Sequence, residues 1–176
     1  PQYQANWAVD FINGTLINKN NSLFLRNNGS AILKDVYTQE SSSIIMNYSS
    51  DVPGAIVKIR EGSSKGRVLT EFTIPEMNWK KNGESYRKEI LILPFKKIAG
   101  KIDLFIEAYD PFSDVREYTP PSSGVIGFDK AKPLVYFDWF SFAPDLPGKG
   151  KKGYSIIKKY VNEILTTTNV VKTPIM

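Results

Sequence analysis

Hydrophobic and polar positions alternate along several short stretches of the first 142 residues. Ile44, Met46 and Tyr48 occupy every second position of one stretch, and the same period recurs over residues 55–60 and 102–109. Successive side chains of a strand point to opposite faces of a sheet, so a period of two is typical of strands with one face on a core. The pattern therefore predicts a chain built mainly from short, half-buried strands.

Two further runs, Ile90–Leu93 and Leu134–Phe142, are apolar at nearly every position. Such runs predict strands in more central positions of a sheet. Clusters of Gly, Pro, Asn, Asp and Ser separate the runs and predict turns. These clusters lie at residues 27–29, 51–54, 61–64, 82–83 and 120–124. Short strands at this spacing predict an all-β antiparallel sandwich of the jelly-roll type.

The last part of the chain follows a different pattern. Residues 143–153 are rich in Pro, Gly and Lys, which predicts a linker. After Ser155, which the pattern predicts as the N-cap, apolar residues recur with helical spacing. This spacing predicts a short amphipathic helix that docks on the sandwich or on a neighbouring domain. The predicted organisation is thus a sandwich over 1–142, a linker over 143–153 and a helical tail over 154–176. The apolar face of the helix comprises Ile156, Ile157, Tyr160, Val161, Ile164 and Leu165, opposite Lys158, Lys159, Asn162 and Glu163.

Composition narrows the chemistry of this 176-residue chain, which contains neither cysteine nor histidine. Thiol nucleophiles, zinc–thiolate sites and Ser–His–Asp triads are therefore excluded. Carboxylates, Lys and Tyr remain as catalytic options, and a glycosidase-like pair of carboxylates would be Glu107 with Asp110 or Asp110 with Asp114. Solvated loop charges explain these residues more simply, so we expect no enzyme.

The positive charge is concentrated at the C-terminal end. The net charge is +5, but residues 1–144 hold 17 basic against 16 acidic residues. Most of the excess lies in the linker and tail, which argues against a nucleic-acid-binding face. No apolar run reaches the ~20 residues of a membrane span. The sequence starts at Pro1 without a signal peptide, so we expect a piece excised from a larger protein.

One motif, Tyr136-Phe137-Asp138-Trp139-Phe140-Ser141-Phe142, resembles the last strand of family 6 carbohydrate-binding modules. Segments 28–36, 54–69, 73–79 and 104–106 are similar, in order and spacing, to other strands and loops of that family. The resemblance covers about residues 2–142. It implies a non-catalytic module that binds polysaccharides or oligosaccharides. It also implies a larger exported parent protein, extracellular, periplasmic or on the cell surface, with other domains as partners.

The family's loop site implies candidate sugar contacts at the rim of the sandwich. Its first aromatic falls at Phe24 or Leu25, where core packing is the alternative. Its second falls at Trp79, with Tyr86 as a rival. Tyr136 stands where the family has an asparagine, so this site is altered or lost. A structural or interaction domain with a degenerate sugar site is therefore the alternative function.

Two other features of the family map onto this chain. The family binds sugars on a concave sheet face as well, where the outward side chains of Phe105, Glu107 and Tyr109 could contribute. A structural calcium commonly joins the first and last strands, and its ligand positions correspond to Gln4, Asn6 and Asp138. Two amides in place of carboxylates weaken calcium binding. Direct hydrogen bonds from both amides to Asp138 are the alternative.

Overall fold

A computed structural model describes residues 2–17, 22–50, 52–75, 88–115 and 133–143. Strands are the main element of these residues, and the described part has one short 3-10 helix, at Ala5–Trp7. The strands are β1 (Gln2–Gln4), β2 (Val9–Ile17), β3 (Ser22–Tyr37), β4 (Ser43–Ser49), β5 (Ile56–Glu61), β6 (Val68–Thr73), β7 (Glu89–Pro94), β8 (Lys101–Tyr109) and β9 (Val135–Phe142). The predicted all-β class is confirmed.

The strands pair antiparallel in the order β6-β5-β8-β3-β9-β4-β7, with β1 added to β9 and β2 to β3. The sheet curls until β6 contacts β7, and the Lys96 N–H donates to the Leu69 carbonyl at 3.1 Å across this closure. Strand β3 joins the two layers, because its first part pairs with β9 and its second part with β8. This is the predicted antiparallel sandwich.

The predicted turn at residues 27–29 is a bend within β3 instead. Asn28 has a φ of +57°, in the left-handed region that asparagine tolerates better than most residues. The strand continues because the residues on both sides of Asn28 keep their ladder partners, Leu25 with Val135 and Gly29 with Ala108. The turn-forming residues therefore redirect the strand from one layer to the other without ending it.

One hydrophobic core fills the inside of the curled sheet. Alternate residues of β4, β5 and β8 point into it, as the alternation predicts, whereas a register shift in β9 lets both Phe137 and Phe140 point inward. Aromatic rings make up much of the core volume. Phe137 and Phe140 pack with ring centroids 5.1 Å apart, and Phe95 and Phe142 with centroids 5.2 Å apart. Burial of this apolar area is the main force that holds the layers together.

The sequence predicts that its two largely apolar runs form central strands of the sheet. This prediction is confirmed for β9 but wrong for β7. Strand β9 lies between β3 and β4, whereas β7 ends the strand order and pairs with β4 alone among the described strands. Its residues are apolar on both faces because each face adjoins a hydrophobic cluster. Leu91 and Leu93 pack on the main core, whereas Ile90 and Ile92 pack on a second cluster around Trp139.

The linker beyond residue 143 and the predicted tail helix lie outside the described residues. Within the described part, no helix has the length and hydrophobicity needed to cross a membrane.

Candidate functional site

The structure brings two of the predicted rim residues together. Phe24 of β3 and Tyr136 of β9 are register partners, and their ring centroids lie 6.0 Å apart. The Phe24 ring is only 8% exposed, and the Arg26 guanidinium lies 4.7 Å from its centroid. This burial favours the packing role for Phe24, and Leu25 is buried in the main core.

Trp79 and Tyr86, the two other rim candidates, lie outside the described residues. A sugar site at the rim therefore stays a prediction.

A cavity of about 290 Å³ opens on the outward face of β3 and β8, away from the hydrophobic core. Its volume is at the lower end of the range for small-molecule sites, ~300–1,000 Å³. The wall combines two aromatic rings, one of them a phenol, with an acidic side chain, an amide, two serine hydroxyls and small or aliphatic residues. The lining residues are Ile12, Asn28, Gly29, Ser30, Ser64, Phe105, Glu107, Ala108 and Tyr109.

The alternation of β8 creates the floor of this cavity. Phe105, Glu107 and Tyr109 point outward and are partly exposed, while the residues between them are buried in the core. The register places Ser30 of β3 beside Glu107. Since alternate residues of a strand lie ~7 Å apart, the floor is a row of ring, carboxylate and ring about 13 Å long.

Arg60 of β5 positions both the carboxylate and the neighbouring loop. Its Nε donates to Glu107 Oε1 at 2.7 Å, and its Nη1 donates to the Gly66 carbonyl at 3.2 Å. The first bond holds the Glu107 side chain on the cavity floor. The second ties down the loop between β5 and β6, which carries Ser64 to the cavity edge. A carboxylate has about four lone-pair sites, so Glu107 can accept further bonds from a ligand.

Charges around the floor are balanced in pairs. Lys58 Nζ lies 5.2 Å from the Tyr109 ring centroid and 3.9 Å from Glu71 Oε2. Arg60 pairs with Glu107 in the same way. Because both of these cations have a nearby carboxylate, the described part of the site has no excess of one sign, which suits an uncharged ligand.

The bend in β3 is held against the end of β8. Asn27 Oδ1 accepts the Asp110 N–H at 2.8 Å. A Cβ at Gly29 would lie 2.6 Å from the Asn13 carbonyl oxygen and 2.7 Å from that of Arg26, so only glycine allows this close approach of β2 and β3. These contacts keep Asn28 at the cavity wall.

No family model matches the sequence, and no curated protein does. Solved structures do resemble it. A β-1,3-glucan-binding family 6 module from Bacillus halodurans is 18% identical, with a TM-score of 0.55 over 81% of this chain and 94% of that chain. A family 6 module from Clostridium cellulolyticum, solved with xylose, is 12% identical, with a TM-score of 0.57 over 81% and 96%. A third, from Clostridium stercorarium with cellobiose, is 15% identical, with a TM-score of 0.55 over 82% and 94%.

The chain has the fold of a family 6 carbohydrate-binding module. This finding confirms the jelly-roll sandwich that the sequence predicts. At 12–18% identity the likeness establishes the fold, and the ligand has to be argued from this chain's own residues.

Two of the three carboxylates that the sequence offered for catalysis, Glu107 and Asp110, form contacts within the fold. Glu107 accepts from Arg60. Asp110 is buried, and its Oδ1 accepts the Phe112 N–H at 3.0 Å in the turn that follows β8. Asp114 is an exposed residue of the same turn region. These contacts give Glu107 a structural role within its strand and Asp110 a structural role in the turn.

At the family's calcium position, two side chains contact the Asp138 carboxylate. Asp138 Oδ1 accepts the Ser22 hydroxyl at 2.5 Å, and Oδ2 forms an ion pair with the Lys88 ammonium. The Lys88 ammonium therefore already neutralises this carboxylate. Gln4 lies beside Trp139 in the register, and Asn6 Oδ1 is buried with no hydrogen-bond partner in the described part of the chain. The hydrogen bonds that the amides were expected to make to Asp138 are replaced by those from Ser22 and Lys88.

We therefore expect the thermal unfolding midpoint of the protein to be the same in millimolar calcium and in EDTA. Lys88→Met should lower the free energy of unfolding by about 1 kcal/mol, because it leaves the Asp138 carboxylate, which is 17% exposed, without its cation. Differential scanning fluorimetry measures both effects.

Lys34→Met is the matched control for this prediction. Lys34 pairs with Asp10 at 3.9 Å, but both side chains are more than half exposed, so its removal should leave the midpoint almost unchanged. A clear rise of the wild-type midpoint on addition of calcium would contradict the prediction.

Proposed function

We propose that this chain is a non-catalytic carbohydrate-binding module of a larger exported protein. The observation that carries the proposal is the cavity on β3 and β8, where the rings of Phe105 and Tyr109 flank the Glu107 carboxylate. The family 6 fold supports it, because solved modules with this fold are described as binding β-1,3-glucan or in complex with xylose or cellobiose.

The cavity provides the two kinds of contact that a sugar needs. A pyranose ring has a face rich in C–H bonds, and a partly exposed aromatic ring removes that face from water. The hydroxyls at the ring edge need donors and acceptors, which Glu107, Asn28 and Ser64 supply around the same cavity. Affinity should be modest, since each sugar hydroxyl gives up hydrogen bonds to water.

The balanced charges around the floor favour neutral glycans over acidic ones. Lys58 and Arg60 already have carboxylate partners, so a uronic acid would have to compete with Glu71 and Glu107 for them. We propose β-glucans and xylans as the first class of ligand to test, and polymers rich in uronic acids as weaker ligands.

Retention of the full chain on immobilised β-1,3-glucan, cellulose and xylan tests the proposal, with isothermal titration of soluble oligosaccharides to follow. We expect retention on at least one neutral polymer and no release of reducing sugar from any of them. A folded protein that binds nothing across a broad glycan array would contradict the proposal.

Such a blank result would favour the second candidate, an interaction domain whose sugar site has degenerated. The burial of Phe24 and the phenol of Tyr136 in place of the family's amide support this alternative at the rim. They do not bear on the cavity, which is formed by β8 and by the second part of β3, whereas Phe24 belongs to the first part of β3 that pairs with β9.

The rim and the cavity can be separated by mutation. If the cavity is the sugar site, Trp79→Ala should leave the affinity for a bound oligosaccharide nearly unchanged, whereas replacement of an aromatic residue of the cavity floor should lower it. A large loss with Trp79→Ala would instead assign binding to the rim. Isothermal titration of both variants with the same oligosaccharide decides between the two surfaces.

A further inference from the structure

The outward face of β9, β4 and β7 carries a second apolar surface, opposite to the main core. We call it the outer patch; it consists of Ile45, Trp139 and Ala143, with Ile90 and Ile92 packed against them. The first three residues are 0%, 3% and 4% exposed.

The register confirms that the outer patch faces away from the core. Ile44 and Met46 point into the core, so Ile45 between them points outward. Ile45 pairs with Ile92 of β7 on one side, and Asn47, two residues further along β4, pairs with Trp139 of β9 on the other. Among the described residues, the hydrophobic contacts of the patch come from this sheet and Ala143 alone. Side chains of one sheet layer cannot hide a tryptophan from water by themselves, so the patch requires a covering layer.

Polar atoms in the same place need partners as well. Asn47 is 1% exposed, and neither its Oδ1 nor its Nδ2 has a hydrogen-bond partner among the described residues. Trp139 Nε1 beside it is also buried and lacks a partner in the same part of the chain. Buried polar groups are nearly always hydrogen-bonded in folded proteins, so a covering segment with its own polar groups or trapped water is expected here.

We propose that segment 154–165 of this same chain is the covering layer. Strand β9 ends at Phe142 and the next residue, Ala143, belongs to the outer patch, so the chain leaves the sandwich directly on this surface. Residues 144–153 span up to about 35 Å when extended. Three strands are only ~10 Å across between their axes, so the segment can return onto them without strain.

The composition of the segment fits this surface. Its apolar positions, among them Ile157, Val161 and Ile164, fall on one face of the predicted helix, with Lys159 and Asn162 on the other. A helix of this length is marginal in water by itself and is stabilised by packing of its apolar face. The outer patch provides an apolar surface of matching kind at the point where the segment is attached.

Trp139 is a natural probe for the proposal. In the full chain with Trp7→Phe and Trp79→Phe, all tryptophan emission comes from Trp139, because the sequence has three tryptophans. Ile157→Gln with Val161→Gln should move this emission to longer wavelength and raise its quenching by acrylamide severalfold. The matched control, Lys159→Gln with Asn162→Gln, should leave both unchanged. Equal, shielded emission from all of these proteins would overturn the proposal.

Cysteine cross-linking gives a second test that does not depend on destabilising the tail. The chain has no cysteine of its own, so an introduced pair is unambiguous. Ile92→Cys combined with cysteine at 157, 161 or 164 should give a disulfide within one chain for at least one of the three pairs. In the control, Ile92→Cys with Lys159→Cys, the disulfide should form more slowly. Exclusive formation of cross-linked dimers would assign the patch to a second copy, and no reaction at any apolar position would assign it to a different segment or to another domain. Either result overturns the proposal.

Discussion

Replacing Tyr109 with alanine should weaken binding of a neutral oligosaccharide about tenfold, which corresponds to about 1.4 kcal/mol. The ring forms one end of the cavity floor, and its removal takes away apolar surface that would cover the C–H face of a sugar. The substitution also removes the cation–π contact between the Lys58 ammonium and the Tyr109 ring. A neutral sugar cannot replace this contact. Isothermal titration with the oligosaccharide that the wild-type protein binds measures the effect.

Tyr37→Ala is the control for Tyr109→Ala. Tyr37 is an exposed tyrosine of β3, but it does not line the cavity, so its loss should leave affinity unchanged. Phe105→Ala, at the other end of the floor, should resemble Tyr109→Ala. If Tyr109→Ala and Tyr37→Ala bind sugar equally well, the cavity is not the binding site.

Gly29→Ala should lower the free energy of unfolding by about 2–4 kcal/mol. The new Cβ would meet the backbone oxygen of Asn13 on β2 and that of Arg26, three residues earlier in β3, so both the contact between β2 and β3 and the bend in β3 would have to shift. The thermal midpoint should fall by about 5–15 °C for a chain of this size. Sugar affinity should fall too, since Gly29 and its neighbour Asn28 line the cavity.

Gly62→Ala is the control that separates the steric clash at Gly29 from the backbone strain of placing alanine at a glycine position. Gly62 has a φ of +76°, but none of the described residues has an atom within 4 Å of the position that an alanine Cβ would take there. Alanine should therefore cost about 1–2 kcal/mol through backbone strain alone. Midpoints and affinities of both variants, measured side by side, check the comparison. A Gly29→Ala protein as stable as Gly62→Ala would show that β2 and β3 can separate at little cost.

Much of the fold could be predicted because strand formation depends on local alternation. The stretches around Met46, Val57 and Ile106 alternate in the sequence and form β4, β5 and β8 in the structure. The position of a strand within the sheet was harder to predict. Strand β7 is apolar on both faces and yet ends the strand order, since a sequence shows which side chains avoid water but not which strand edges are paired.

The candidate site was predictable only in part, for a related reason. Phe105, Glu107 and Tyr109 could be placed on one outward face because they belong to one strand. Ser30 and Ser64 could not be added to them, because the first comes from β3 and the second from the loop after β5. The burial of the Phe24 ring, in contact with Arg26 and Tyr136, also depends on neighbours that the local pattern does not reveal.

The sequence by itself determined the strand-rich class, the absence of cysteine and histidine chemistry, and the inward and outward faces of the regularly alternating strands β4, β5 and β8. Only the tertiary structure decided that Ser30 lies beside Glu107, that Lys88 neutralises Asp138, and that the outer patch is buried. The physical reason is that a period of two sets the direction of a side chain within its own strand. Its neighbours on that face are set by the register between strands far apart in the chain, and this register depends on the packing of the whole core.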